Sequence, residues 1–118
     1  MSRAARELFH RHRLTVSDYQ RMGEAGILDQ NSRVELIAGE IIDMAPIGSL
    51  HAGTVKRLIR MLERTVGDAA VLSVQDPIVL GPYSEPEPDL ALLKPREDFY
   101  TTAPVSYTHL TLPTTPYV

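Results

Sequence analysis

Cysteine is absent from this chain of 118 residues, which excludes a disulfide framework, a thiolate zinc site and a cysteine nucleophile. It also accords with a reducing, cytoplasmic setting. No uninterrupted apolar span reaches membrane length, and Arg3, Arg6, Arg11 and Arg13 are not followed by the apolar core of a secretion signal. The chain therefore reads as soluble and unsecreted. Aromatic residues are few, and Tyr19, Tyr83 and Tyr100 show no spacing that suggests a base-stacking platform, which leaves them to anchor packing. Excess positive charge is lacking too. A formal net charge of -3 argues against a protein whose whole surface coats nucleic acid, while a local basic stripe can still steer a phosphate backbone towards an acidic site.

What is present fits one domain able to bury a core without metal or disulfide staples. Thr15 to Asp18 reads Thr-Val-Ser-Asp, a variant of the capping box, and predicts a short helix from about Val16 to Ala25 that ends at Gly26. Arg33 to Met44 alternates around Gly39, which predicts a hairpin with its turn at Ala38 to Glu40. Ser49 or Leu50 then opens the clearest helix. Val55, Leu58, Ile59, Leu62 and Val66 share one face of it up to Gly67, and Lys56, Arg57, Arg60 and Arg64 occupy the other, either as a solvated face or as a phosphate-binding stripe. Ala70–Val74 and Ile78–Leu80 follow as short strands. The order predicts an α+β domain, a mixed β-sheet packed on one long amphipathic helix.

Glu85 to Leu93 reads Glu-Pro-Glu-Pro-Asp-Leu-Ala-Leu-Leu. Pro88 suits the first position of a strand, and the short apolar run Leu90 to Leu93 reads as a sheet-core strand with Asp89 at its mouth. An acid there is either a solvated boundary residue or an oxygen ligand for a hard divalent cation. Glu35 is likewise open to two readings, a wet-face partner of Arg33 or a second metal-binding acid. Glu40, five residues on, need not share a face with Glu35. His51, at the head of the long helix, is either a structural neighbour of the helix start or a substrate contact. Glu85 and Glu87 read as loop charges near the site.

Three features stand in order: Arg33-Val-Glu-Leu-Ile-Ala-Gly-Glu-Ile-Ile-Asp-Met-Ala-Pro46, then His51, then Pro88-Asp-Leu-Ala-Leu92. Together they resemble the Uma-type family of putative restriction endonucleases, within the PD-(D/E)xK nuclease superfamily. The resemblance runs from about Leu14 to Ala103. It implies a restriction-endonuclease-like core and Mg²⁺- or Mn²⁺-dependent hydrolysis of phosphodiesters, with DNA as the substrate and a homodimer as the form that cuts two strands. It also implies Asp89 and Glu35 as catalytic metal ligands, with His51 and Glu40 as candidate substrate contacts.

Beyond Ala103 the pattern departs. The class needs a further strand carrying a Glu and then a Lys, and after Asp89 the chain offers Glu97 and Asp98 in a polar turn and no lysine past Lys94. From Val105 to Val118 there is no Asp, Glu, Lys or Arg. That string is either a Thr/Pro-rich terminus or a translated adapter read-through. Residues 1–104 are accordingly expected to form the N-terminal part of an endonuclease-like domain, incomplete at its C-terminus, and residues 105–118 a non-native tail. A chain so cut is expected to be an inactive fragment of a nuclease. The alternative is a non-catalytic nuclease-like module that binds protein or DNA.

Overall fold

The computed structural model describes residues 8–29 and 31–111; Arg3, Arg6 and the tail beyond Thr111 lie outside them. Helix α1 spans Val16–Glu24. It starts where Thr15 and Asp18 satisfy each other: the Asp18 amide donates to Thr15 Oγ1 at 3.1 Å and the Thr15 amide to the Asp18 carboxylate at 3.0 Å. This reciprocal cap covers donors that no helical carbonyl reaches.

Strands β1 (Val34–Ile37) and β2 (Glu40–Asp43) pair antiparallel, with Glu35 opposite Ile42 and Ile37 opposite Glu40. The two-residue turn between them places Ala38 at φ 49° and Gly39 at φ 81°, the left-handed pair that matches strand twist. Gly39 is needed twice over. A Cβ there would stand 2.7 Å from Arg13 Cβ, because the approaching chain donates from Leu14 N–H to Gly39 O at 2.9 Å. On its other side Gly39 N–H donates to Tyr83 O at 2.7 Å.

Helix α2 covers Ser49–Val66 and stops at Gly67, whose φ of 49° no β-branched residue adopts readily. A 3₁₀ turn, Gly67–Ala69, leads into β3 (Val71–Val74), then β4 (Ile78–Val79), β5 (Leu90–Leu93) and β6 (Val105–Ser106), with a second 3₁₀ turn at Tyr107–His109. Strand β5 lies antiparallel to β3, and β6 lies parallel to β4.

The class is α+β with mixed pairing, as expected, and the strands are divided among three two-stranded ladders. Proline explains part of the division. Pro82, Pro86 and Pro88 remove backbone donors from the segment that runs between β1 and β4, so it bridges each by short contacts only. Glu85 N–H donates to Leu36 O at 2.8 Å on one side, and Ile78 N–H donates to Pro86 O at 2.9 Å on the other. Residues past Val105 join the outer edge of β5, where Lys94 N–H donates to His109 O at 2.7 Å and Thr111 N–H to Leu92 O at 2.9 Å.

Ile78, Leu93 and Val105 form the buried cluster, backed by Val71, Ala91 and Tyr100. Leu36 is wholly buried at the hairpin. The long helix contributes less than its apolar face promised: Val55 is its buried residue, while Leu58 and Met61 remain 39% and 59% exposed. Between Leu62 of α2 and the strands an apolar groove of about 760 Å³ stays open, floored by Ile78, Leu90, Leu92 and Leu110. No helix among the described residues is long and apolar enough to cross a membrane.

Candidate active site

Asp89 owes its position to a ladder. Val74 pairs with Leu90 at the end of the β3–β5 ladder, and one step further Gln75 N–H donates to Asp89 O at 3.0 Å. The backbone of the acid is thus fixed from across the pair, and the residue leading into it, Pro88, has its own φ locked. Its side chain turns towards α2, where His51, in the first turn, brings Nε2 to 3.1 Å from Asp89 Oδ2. The histidine is therefore a partner of the acid.

Glu35 reaches the same region from the hairpin. Its Oε2 accepts a 3.1 Å hydrogen bond from the Glu87 amide, so the β1 side chain holds the loop two residues before Asp89. A cleft of about 420 Å³ is lined by Glu35, His51 and Asp89, with Arg33, Asp43 and Pro46 among its other walls. Three residues from a hairpin, a helix start and a strand entry converge here, far apart in sequence.

Glu40 is placed otherwise. Cross-strand partners share a face, so the register Ile37 opposite Glu40 puts Glu40 on the same face as Ile37 and Glu35. Counting parity along one strand suggests that the two need not agree, but the two-residue turn resets the count. Glu40 nevertheless forms an ion pair with Arg11 at the hairpin tip and does not line the cleft.

Glu85, read from the sequence as a loop charge near the site, lies in that loop but is buried. It is 5% exposed, beside Leu36 and beneath α1, and accepts a 3.2 Å hydrogen bond from Gln20 Nε2. Burial pushes its carboxyl above the usual range, and the bond from Gln20 partly offsets this. Burial also raises Glu87, against the pull of Arg33 and with the help of Glu35, Asp76 and Glu85. Tyr19 donates to Val34 O at 3.2 Å, and its phenol is raised by burial first and by Glu87, Glu85 and Glu35 after it.

Arg33 and Asp43 are cleft residues that the motifs did not single out as such. Arg33 straps the exit of the hairpin by donating to Ala45 O at 3.0 Å, and Asp43 lies opposite Val34. Both sit at the open end of the hairpin, where the register leaves Arg33 beside Met44, whose N–H donates to Arg33 O at 2.7 Å, one step beyond the Val34–Asp43 pair.

Glu35 and Asp89 supply the hard oxygen donors that Mg²⁺ or Mn²⁺ takes. Among the described residues, however, no group of three His, Cys, Asp or Glu side chains stands close enough to hold a metal ion. Asp89 faces His51, and Glu35 faces the Glu87 amide. The donor chemistry suits a metal; the set is incomplete.

A search of curated proteins finds no match to the chain. A family model does match, from the first residue of α1 through the hairpin, α2, the Pro-Asp strand and onward across residue 104. It covers residues 16–116 and bears the description putative restriction endonuclease. By that match the chain belongs to the Uma2 family of putative restriction endonucleases.

Proposed function

We propose that the intact protein is a Mg²⁺- or Mn²⁺-dependent DNA endonuclease of the PD-(D/E)xK type, and that the chain as it stands is an inactive fragment of it. One observation carries this reading: Glu35, His51 and Asp89, from three separate elements, open on one cleft. Membership of a restriction-endonuclease family supports it. In this reading Asp89 and Glu35 supply oxygen to the ion, and His51 holds the Asp89 carboxylate in its rotamer. When bound, the metal polarises the phosphate and lowers the pKa of a water.

The remaining donors and the lysine belong to a strand that follows β5 in the intact protein. Residues 105–118, free of Asp, Glu, Lys and Arg, stand in its place as read-through. Sequencing the source gene across the codon for Pro104 tests that point, since an unbroken native frame into the same tail refutes it. The catalytic reading is tested by plasmid nicking with the full-length parent and Mg²⁺ or Mn²⁺. Metal-dependent nicking is expected, with loss of at least about a hundredfold in Asp89→Ala; activity that survives the substitution removes Asp89 from the mechanism.

The lack of a three-donor cluster among the described residues favours a second reading, a nuclease-like module that binds a protein or DNA without cutting. The native downstream sequence discriminates between the two. A Glu on an apolar strand followed by a Lys belongs to the enzyme, and their absence to the binding module.

A further inference from the structure

Every arginine described outside α2 is engaged within the fold. Arg11 pairs with Glu40, Arg21 with Asp18 at 3.1 Å and Arg96 with Asp98 at 2.9 Å. Arg13 lies 3.8 Å over the Tyr83 ring, and Arg33 donates to Ala45 O. Helix α2 differs. Its Lys56, Arg57, Arg60 and Arg64 are all exposed, and among the described residues none of them takes part in an ion pair, a side-chain hydrogen bond or a cation–π contact.

At about 100° per residue these four side chains fall within roughly a quarter to a third of the helix circumference, on the side away from Val55. Lys56, Arg60 and Arg64 repeat at about 6 Å along the axis. Against them the helix carries a single acid, Glu63, in a chain whose overall charge is negative. Three of the four are arginine, the side chain whose planar fork matches phosphate oxygens. The positive charge concentrated here makes no described contact within the fold, and it lies on the face opposite the one from which His51 reaches the cleft.

We infer that the outer face of α2 is a docking surface for the phosphate backbone of a nucleic-acid duplex, with Lys56, Arg57, Arg60 and Arg64 as its contacts. The occupant follows from charge complementarity: an unpaired row of cations fits a polymer with a regular row of anions. The inference deepens the endonuclease reading and rests on it for the identity of the polymer. Its test needs no cleavage.

The 118-residue chain is titrated in EDTA with a fluorescein-labelled DNA duplex of about 30 base pairs, sized to span several helical turns, and anisotropy is followed across a range of salt concentrations. Each phosphate-contacting cation contributes about 0.9 to the slope of log K against log salt. The quadruple variant Lys56→Gln/Arg57→Gln/Arg60→Gln/Arg64→Gln is expected to lower that slope by about 3.6, and Arg60→Gln alone by about 0.9. The single variant guards against a folding failure of the quadruple one, and circular dichroism of both checks helicity.

Slopes equal to that of the unsubstituted chain overturn the inference, as does no binding of the unsubstituted chain. Competition by polyglutamate at equal charge concentration overturns the duplex in favour of an acidic protein partner. Failure of the slopes with nicking intact in the parent removes the docking surface alone, and failure of nicking with the slopes as expected removes the catalytic reading alone.

Discussion

The hairpin and helix α2 are both amphipathic, yet one is gripped and the other barely held. Around Gly39 the chain is tied from two sides, by Leu14 and by Tyr83, and Leu36 beneath it is completely buried. Helix α2 is far longer at 18 residues but buries Val55 and leaves Leu58 and Met61 in water. Apolar periodicity says which face of an element can be buried. Whether it is buried depends on what arrives to cover it, and the groove beside Leu62 shows a face still waiting for cover.

Core truncation should break the symmetry between the two most strongly. Leu36→Ala removes a fully buried side chain and is expected to destabilise by about 3 kcal/mol, read as a drop in urea midpoint at constant slope. Gly39→Ala should follow at about 2 kcal/mol, since it adds left-handed strain and a Cβ pressed against Arg13. By contrast, Met61→Ala on α2 should cost less than about 0.5 kcal/mol. A loss at Met61 as large as that at Leu36 would mean that something covers α2 in solution.

The subtlest expectation concerns Glu85. Its folded-state pKa is raised by burial, so the fold prefers the protonated acid. The stability tied to that proton is complete below the ordinary carboxylate pKa and is lost as pH rises through the raised value. Glu85→Gln keeps an oxygen for Gln20 and should be more stable than the parent chain at neutral pH, with a flatter stability profile across that window. Glu87, also raised by burial, should leave a residual slope. A variant less stable than the parent at pH 7 would show that the buried charge is satisfied better than its surroundings indicate.

Much of this was legible in the sequence because it is local. The Thr15–Asp18 cap, the turn at Ala38-Gly39, the stop at Gly67 and the strand after Pro88 each depend on residues within a few positions, and each stands where its chemistry put it. Of the residues the motifs pointed to, Glu35, His51 and Asp89 line one cleft and Glu40 does not, and none of their contacts could be read from the sequence. That His51 meets Asp89, or that Glu35 holds the Glu87 amide, depends on how three distant segments pack. The burial of Glu85 was not legible for the same reason. A carboxylate at the head of a Pro-Glu-Pro stretch looks like a loop, and only the arrival of α1 above it and β1 beside it makes the place an interior.

The hydrogen bond from Glu87 N–H to Glu35 carries a consequence of its own. It makes one amide proton a gauge of one carboxylate. While Glu35 accepts this bond, that proton is sheltered from exchange; when the bond opens, the proton is released to solvent. Because Pro86 and Pro88 flank it and carry no amide proton, it is the one exchanging amide of its tripeptide, and the position of an acid that lines the cleft could be followed without touching the cleft at all.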